Sequence, residues 1–409
     1  MTTLSPQQLM LAAALVIGLA TLCQVIAPKL KVPSLLLLLP AGFLLGWIAP
    51  QFRMDQILGG AFPIAVDLMV AVILFQGGLE LGTIKLQGND RRIVWRLIWI
   101  GAPITWVAGA LLAHYVLGLS WSLAFLLGAI LIVSGPTVVT PILDFARPES
   151  RVRGILMWEG TMLDPIGGIF AIVVFQVVRL STQDSPLDAA VSLLFSFAVA
   201  IVVAAAGLVV AVLACRAVRG NATLSTQVLL GTVLVSAAFA DFLAEESGLL
   251  TALLMGVAAR PIAKRLNTSI DNAMPFFDTI VAFGLGILFI SIAALVPSPT
   301  VAQVALPAIG MALLLIFIVR PTVALLCTPG VGLSKNEKAF IAWMDPRGIV
   351  AAATASSVSA TLVAANVPGA TELLPAAFVI IAVTVTTYGL TAAAAAKVLG
   401  VQEKVSVTS

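Results

Sequence analysis

The sequence predicts an all-α, polytopic membrane protein with about thirteen transmembrane helices. Three observations carry that prediction. Of 409 residues, 60% are hydrophobic and only 10% are charged, against about 25% charged in a soluble domain. The mean hydropathy is +1.12. Apolar runs of roughly 20 residues, the length a spanning helix needs, recur along the whole chain. Residues 1–409 therefore read as a single membrane domain.

In order, helices are expected at 7–27, 33–49, 61–82, 94–117, 119–146, 151–178, 187–215, 224–245, 248–264, 274–296, 300–328, 336–364 and 372–399. The first run lacks a basic n-region and a cleavage site, so it reads as a retained helix and not a signal peptide. The second and ninth runs are short. Pro28, Pro50, Pro148, Pro297, Pro299 and Thr328–Pro329–Gly330 punctuate the connections.

Two runs are interrupted internally. The fifth contains Val133–Ser134–Gly135–Pro136–Thr137, with Thr140–Pro141 one turn later. The twelfth contains Met344–Asp345–Pro346–Arg347–Gly348. Gly and Pro together unwind a helix. Non-helical backbone at membrane depth persists where it lines a cavity or an ion site. A simple proline kink is the alternative for the fifth run taken alone. Interrupted helices in both halves mark an inverted-repeat transporter with a midplane site.

The basic residues orient the chain. Lys and Arg collect on the cytoplasmic side of short loops. With the N-terminus outside, inner segments hold 18 of the 22: Lys29, Lys31, Lys85, Arg91, Arg92, Arg96, Arg147, Arg151, Arg153, Arg216, Arg219, Arg260, Lys264, Arg265, Lys335, Lys338, Lys397 and Lys404. Only Arg53 and Arg179 fall outside, while Arg320 and Arg347 lie within helices. The expectation is a multi-pass protein of the cell's inner membrane, with its N-terminus outside and its C-terminus cytoplasmic.

Several function classes are excluded. Cys23, Cys215 and Cys327 are far apart, with no CxxC, so neither a metal site nor a disulfide is expected. His114 is the only histidine and reads as an interface residue. No GxSG, HExxH or paired catalytic aspartate motif stands out, so an enzyme is not expected. Nothing calls for a cofactor or a nucleic acid partner.

Ionisable groups inside the membrane are costly and so are candidate functional groups. The strongest cluster is Trp158–Glu159–Gly160–Thr161–Met162–Leu163–Asp164–Pro165 in the sixth run. Five residues separate the two acids, about 140° around a helix. One acid can hold a structural partner while the other faces an ion path. Gly160 leaves room beside Asp164. Pro165 has no N–H, so the Thr161 carbonyl loses its helical donor and is a candidate cation ligand. A carboxylate held in a fixed salt bridge is the alternative, but two acids exceed what one bridge needs. Arg320, deep in the eleventh run, needs an anion. Glu159 is the partner by elimination, with snorkelling to the interface as the alternative. Asp67, Asp241 and Asp278 read as helix caps or interface residues, with tuning of a funnel as the other option. Gln76 and Glu80 lie towards an inner end, and Glu245 and Glu246 near the outer face.

These residues resemble the monovalent cation/proton antiporters of the bacterial NhaP and eukaryotic NHE type. The resemblance covers essentially the whole chain, with thirteen helices, N-terminus out, and breaks in the fifth and twelfth. The family's Glu-Ser-Leu-X-Asn-Asp motif is similar to Glu159–Gly160–Thr161–Met162–Leu163–Asp164. Its Thr-Asp-Pro break matches Ser134–Gly135–Pro136, its Gly-Leu-Arg-Gly motif matches Asp345–Pro346–Arg347–Gly348, and its eleventh-helix arginine matches Arg320.

The resemblance implies an inverted-repeat antiporter fold with two crossed broken helices and a homodimer. It implies a core bundle, 94–178 and 300–399, moving as an elevator against a dimerisation bundle, 7–82 and 187–296. It implies that Asp164 binds the cation and the proton, with Ser134, Thr137 and Thr161 beside it, and that Glu159 pairs with Arg320. Gly135, Pro136, Pro346 and Gly348 form the breaks, and Asp345 and Arg347 are their charges. Three positions depart from the family. Leu163 replaces an asparagine, Gly160 a serine, and Gly135 the Thr-Asp-Pro aspartate. Asp345 is the candidate to supply the charge missing at 135. The lack of a second acid beside Asp164 resembles the electroneutral branch. The expected activity is exchange of Na⁺ or K⁺, with Li⁺ a further candidate, for protons in pH homeostasis. A sodium-coupled organic-anion symporter with crossed broken helices is the alternative, resting on Arg347 as an anion binder.

Overall fold

The structure, a computed structural model, describes residues 5–30, 32–81, 88–180, 186–218, 221–244, 247–265, 273–296 and 298–403. These residues are almost entirely helical. In chain order the helices are α1 (Pro6–Leu30), α2 (Leu35–Ile48), the short α3 (Met54–Leu58), α4 (Ala61–Leu81), α5 (Asp90–Arg96), α6 (Ala102–Leu117), α7 (Trp121–Ile130), α8 (Pro136–Ala146) and α9 (Ser150–Leu180). They continue with α10 (Pro186–Ala217), α11 (Ala222–Leu243), α12 (Gly248–Arg265), α13 (Met274–Leu295), α14 (Ser298–Leu314), α15 (Arg320–Cys327), α16 (Lys335–Trp343), α17 (Ile349–Ala364) and α18 (Ala370–Val398).

Among the described residues, nine helices are long and apolar enough to cross a membrane, and four apolar ones are shorter. Together they account for the thirteen expected runs. The short ones include α2, α7, α12 and α17, so both interrupted runs are divided as their Gly and Pro content dictates. The first break leaves 131–135 outside helix, and the second leaves 344–348. Thr137, expected in the first break, falls inside α8. Pro136 occupies the first helical position there, where a missing N–H costs nothing. Pro28 and Pro299, expected in connections, also lie in helices: Pro28 in the last turn of α1 and Pro299 in the first turn of α14.

Two further irregularities are π-helical turns, at Leu97–Gly101 before α6 and at Leu315–Val319 before α15. Each precedes a proline, Pro103 or Pro321. A proline ring clashes with the carbonyl four residues back, here Trp99 or Phe317. The wider turn spans both carbonyls and carries the clash without ending the helix.

The contacts divide the chain into two compact units. The first comprises Met1–Gly59, Leu86–Gly168 and Gly286–Ser409, and the second Gly60–Lys85 and Ile169–Leu285. In the first unit α6 and α7 cross closely: a Cβ on Gly128 would lie 2.7 Å from the Trp106 carbonyl oxygen. In the second unit α4 and α12 do the same, since a Cβ on Gly78 would lie 2.7 Å from the Val257 nitrogen. Small residues at crossings let apolar helices gain dispersion contacts that lipid cannot match. Large side chains of α10, including Leu194, Phe195, Val202 and Leu213, are exposed, as suits contact with acyl chains.

Lys31, Lys85, Arg219, Glu245, Glu246, Pro297 and Lys404 lie outside the described residues, as do the side chains of Glu80, Pro136, Thr137, Pro165, Arg179, Lys264 and Arg265.

Candidate functional site

The site lies in the first unit and begins with one face of α9. Gly160, Asp164 and Gly167 are spaced by four and three residues, so they share a helix face. Neither glycine keeps the neighbouring chain away. A Cβ on Gly160 would meet Val139 Cγ2 at 3.2 Å, and one on Gly167 would meet Val133 Cα at 3.1 Å. The first break therefore lies directly on α9. Asp164, between the glycines, is 3% exposed.

The two breaks meet at this carboxylate. A Cβ on Gly135 would fall 2.8 Å from Asp164 Oδ2. A Cβ on Gly348 would fall 2.9 Å from the Gly135 nitrogen and 3.7 Å from Asp164 Oδ1. The Ser134 hydroxyl donates to the Pro346 carbonyl at 3.0 Å, joining the breaks. Ser134 thus has a structural bond and directly precedes Gly135, the residue that lies against Asp164. Gly135 and Gly348 are the N-caps of α8 and α17, both extended and neither offering a side-chain cap. The first free N–H groups of two helices, with their partial positive charge, converge here.

Thr161 is fully buried, and its hydroxyl oxygen has no hydrogen-bond partner among the described residues. It sits three residues before Asp164, within reach of the same face. Such a hydroxyl is suited to a cation or to water.

Glu159 and Arg320 come together as a bidentate pair. Nη1 donates to Oε1 at 2.5 Å and Nη2 to Oε2 at 2.8 Å, with both residues under 5% exposed. Arg320 Nε donates to the Ile341 carbonyl at 3.0 Å, so the pair also holds α16. The fork-on-fork geometry satisfies both charges at once. Asp345 and Arg347 pair with each other at 2.7 Å, and both are buried. Arg347, the residue that kept organic-anion symport open, is therefore already held by an acid of its own segment.

Two of the remaining acids are engaged locally. Asp241 accepts from the Gly248 N–H at 2.6 Å at the start of α12, and Asp278 accepts from Gln76 at 2.6 Å. His114 stacks on Trp121 with ring centroids 4.0 Å apart and lies in contact with Tyr115. All three cysteines are free and buried, and no group of three metal-ligating side chains occurs among the described residues. The sequence reading missed Gly167 and the Ser134–Pro346 tie. The four-and-three spacing around Asp164 was the signal for Gly167. No local signal marks the tie, because its partner is a backbone carbonyl about 210 residues away.

A buried acid at the meeting point of two broken helices, inside a many-span helical protein, defines an ion-coupled secondary transporter. Residues 13–398 match the family model described as "Sodium/hydrogen exchanger, transmembrane", and the chain belongs to that family. It is a monovalent cation/proton antiporter, not an enzyme. It is 27% identical over 363 residues to Na(+)/H(+) antiporter 1 of Methanocaldococcus jannaschii, covering 85% of this chain and 82% of that protein. It is 24% identical over 400 residues to the K(+)/H(+) antiporter NhaP2 of Shewanella sp. (strain MR-4), covering 96% and 67% respectively. The solved structure of the sodium proton antiporter MjNhaP1 from M. jannaschii has the same fold, with a TM-score of 0.77 at 24% identity, covering 96% of this chain and 99% of that one.

Proposed function

We propose that Asp164 is the carboxylate shared by proton and cation, one at a time. The observation that carries this reading is its position: buried on α9 against the meeting of both breaks, while the neighbouring Glu159 is fully engaged by Arg320. Ser134, Thr137 and Thr161 complete the site. The Glu159–Arg320 pair is structural, tying α9 to the helix run that carries Arg320. Asp345, on the second break, offsets the positive helix ends while paired with Arg347.

Exchange follows from competition. A core carrying Asp164 neutralised by either ligand crosses the membrane, and one with a bare carboxylate does not, because a lone charge in hydrocarbon is costly. One carboxylate and no adjacent acid, Leu163 being its neighbour, give one cation for one proton and no net charge movement. The core bundle, 94–178 and 300–399, moves as an elevator against 7–82 and 187–296 in a homodimer. This division concerns moving parts and differs from the compact units, in which residues 1–59 belong with the site. The chain sits N-terminus out and C-terminus in. Both sodium and potassium exchangers occur among the relatives, so either ion is a candidate substrate.

The test uses purified protein in proteoliposomes with a pH-sensitive dye, adding Na⁺, K⁺ and Li⁺ in turn. Asp164→Asn is expected to abolish cation-driven dye recovery. Retained cation-dependent proton flux in that variant would sink the assignment.

A further inference from the structure

We infer that Gly135 is a positioning residue for exchange, and that its missing side chain is what sets the seat of the Asp164 carboxylate and hence the ranking of cations. The inference rests on Asp164 being the exchanging group.

Three independent contacts define the seat. A Cβ at 135 would lie 2.8 to 2.9 Å from all three carboxyl atoms of Asp164, a separation that real Cβ atoms essentially never show. A Cβ at 348 would strike the Gly135 backbone nitrogen at 2.9 Å, so the two N-caps themselves touch. A Cβ at 160 would lie 3.7 Å from the Ser134 carbonyl oxygen, bringing α9 close to the same break. The carboxylate thus occupies the volume that a side chain at 135 would need, and the Gly135 backbone occupies the volume that one at 348 would need.

That volume has a particular electrical character. α8 and α17 both begin with a glycine N-cap and no side-chain acceptor. Their leading N–H groups favour a negative charge, over about the first turn only. Asp164 lies against the first of those ends and within contact distance of a Cβ at the second. Asp345, the other acid on the breaks, is turned to Arg347 at 2.7 Å. Among the described residues, the groups at the seat include Asp164, the two helix ends and the Thr161 hydroxyl, while Glu159 is bound by Arg320 and Asp345 by Arg347.

A carboxylate held this way presents its remaining lone pairs at a fixed distance from the ligands opposite. A cation must fit that gap. Moving the carboxylate by roughly half an ångström, to reach ordinary contact with a new methyl group, changes the gap by a large part of the difference between alkali ions. Gly135→Ala does this from the side of the break. Asp164→Glu does it from the side of α9, adding one methylene and leaving the break untouched.

The experiment measures proton exchange in proteoliposomes against Li⁺, Na⁺ and K⁺ for the parent, Gly135→Ala, Asp164→Glu, Asp164→Asn and Gly154→Ala. Gly154, on α9 away from the breaks, has nothing within 4 Å of a built Cβ and serves as the control. Gly135→Ala and Asp164→Glu are each expected to raise KM for the preferred cation about tenfold and to alter the order of the three ions. Maximal rates at saturating cation should fall much less, and Gly154→Ala should match the parent. Should Gly135→Ala fail to fold, Asp164→Glu decides alone. Parental KM and ion order in the variants that fold overturn the inference. Exchange surviving in Asp164→Asn overturns instead the reading on which it rests.

Discussion

At the residue scale the buried charges are the most exposed to test. Removing one partner of a buried pair leaves the other charge uncompensated, at a cost of about 3–5 kcal/mol. Arg320→Ala is therefore expected to lower the melting temperature in detergent well beyond the effect of an ordinary surface change, while the double change Glu159→Gln, Arg320→Met recovers much of the loss. If the single variant melts with the parent, the pair does not hold α9. Asp345→Asn strands Arg347 and, on the role proposed for Asp345, removes the charge that offsets the helix ends, so transport should be crippled; normal exchange would contradict that role. The proposed competition at Asp164 also fixes a sign for pH. As pH falls, protons occupy Asp164, so the apparent KM for the cation rises, by up to tenfold per pH unit, with the maximal rate preserved at saturating cation. A falling maximal rate with constant KM would point to separate sites. Much of this was legible beforehand. Glu159, Asp164 and Arg320 stand out because charge is rare in an apolar run. The Asp345–Arg347 pairing was not, because i and i+2 residues diverge on a helix, and the break at 344–348, though marked by its Pro and Gly, does not say how its non-helical backbone turns the two side chains.

At the scale of elements, the approach to α9 is held by a polar hub. Arg151 donates to Asp90 at 2.9 and 2.8 Å and to the Gly332 and Val331 carbonyls at 2.9 and 3.2 Å. The same loop leads into α16, whose start is closed reciprocally by Ser334 and Glu337. Arg151→Ala is expected to speed amide hydrogen exchange across 329–334 while leaving the middle of α9 protected. Ser334→Ala should cost about 1 kcal/mol by loss of the cap, seen as fraying of α16 in the same experiment. Ser334 to Glu337 is readable as a sequence pattern. The π-helical turns at 97–101 and 315–319 are not. One extra residue in a turn leaves no mark on a run that is apolar on every face, and proline alone signals only that the helix is disturbed.

At the scale of the whole molecule, hydropathy carried the number and order of the spans because the bilayer imposes a single length on each. Packing between spans was not readable, since apolar side chains on all faces do not say which face meets which neighbour. Electroneutrality is a property at this scale. A diffusion potential set with a permeant anion such as thiocyanate, without a K⁺ gradient, should leave the rate of sodium-driven exchange unchanged, whereas acceleration by either polarity would mean that net charge crosses.

The segment after α18 closes on the linker that leads into α9. Glu149 N–H donates to the Val401 carbonyl at 2.7 Å, Glu403 N–H donates to the Arg147 carbonyl at 2.9 Å, and Pro148 lies opposite Gln402. Mechanically, this makes residues 401–403 a handle on the helix that bears Asp164. A load applied to the C-terminal side in a single-molecule pulling experiment must first shear these two bonds, and until they part it is transmitted to residues 147–149 and not along α18. A fluorescent fusion joined after Glu403 through a long flexible spacer should leave exchange intact, and the same fusion joined without one should tug on that linker and slow it.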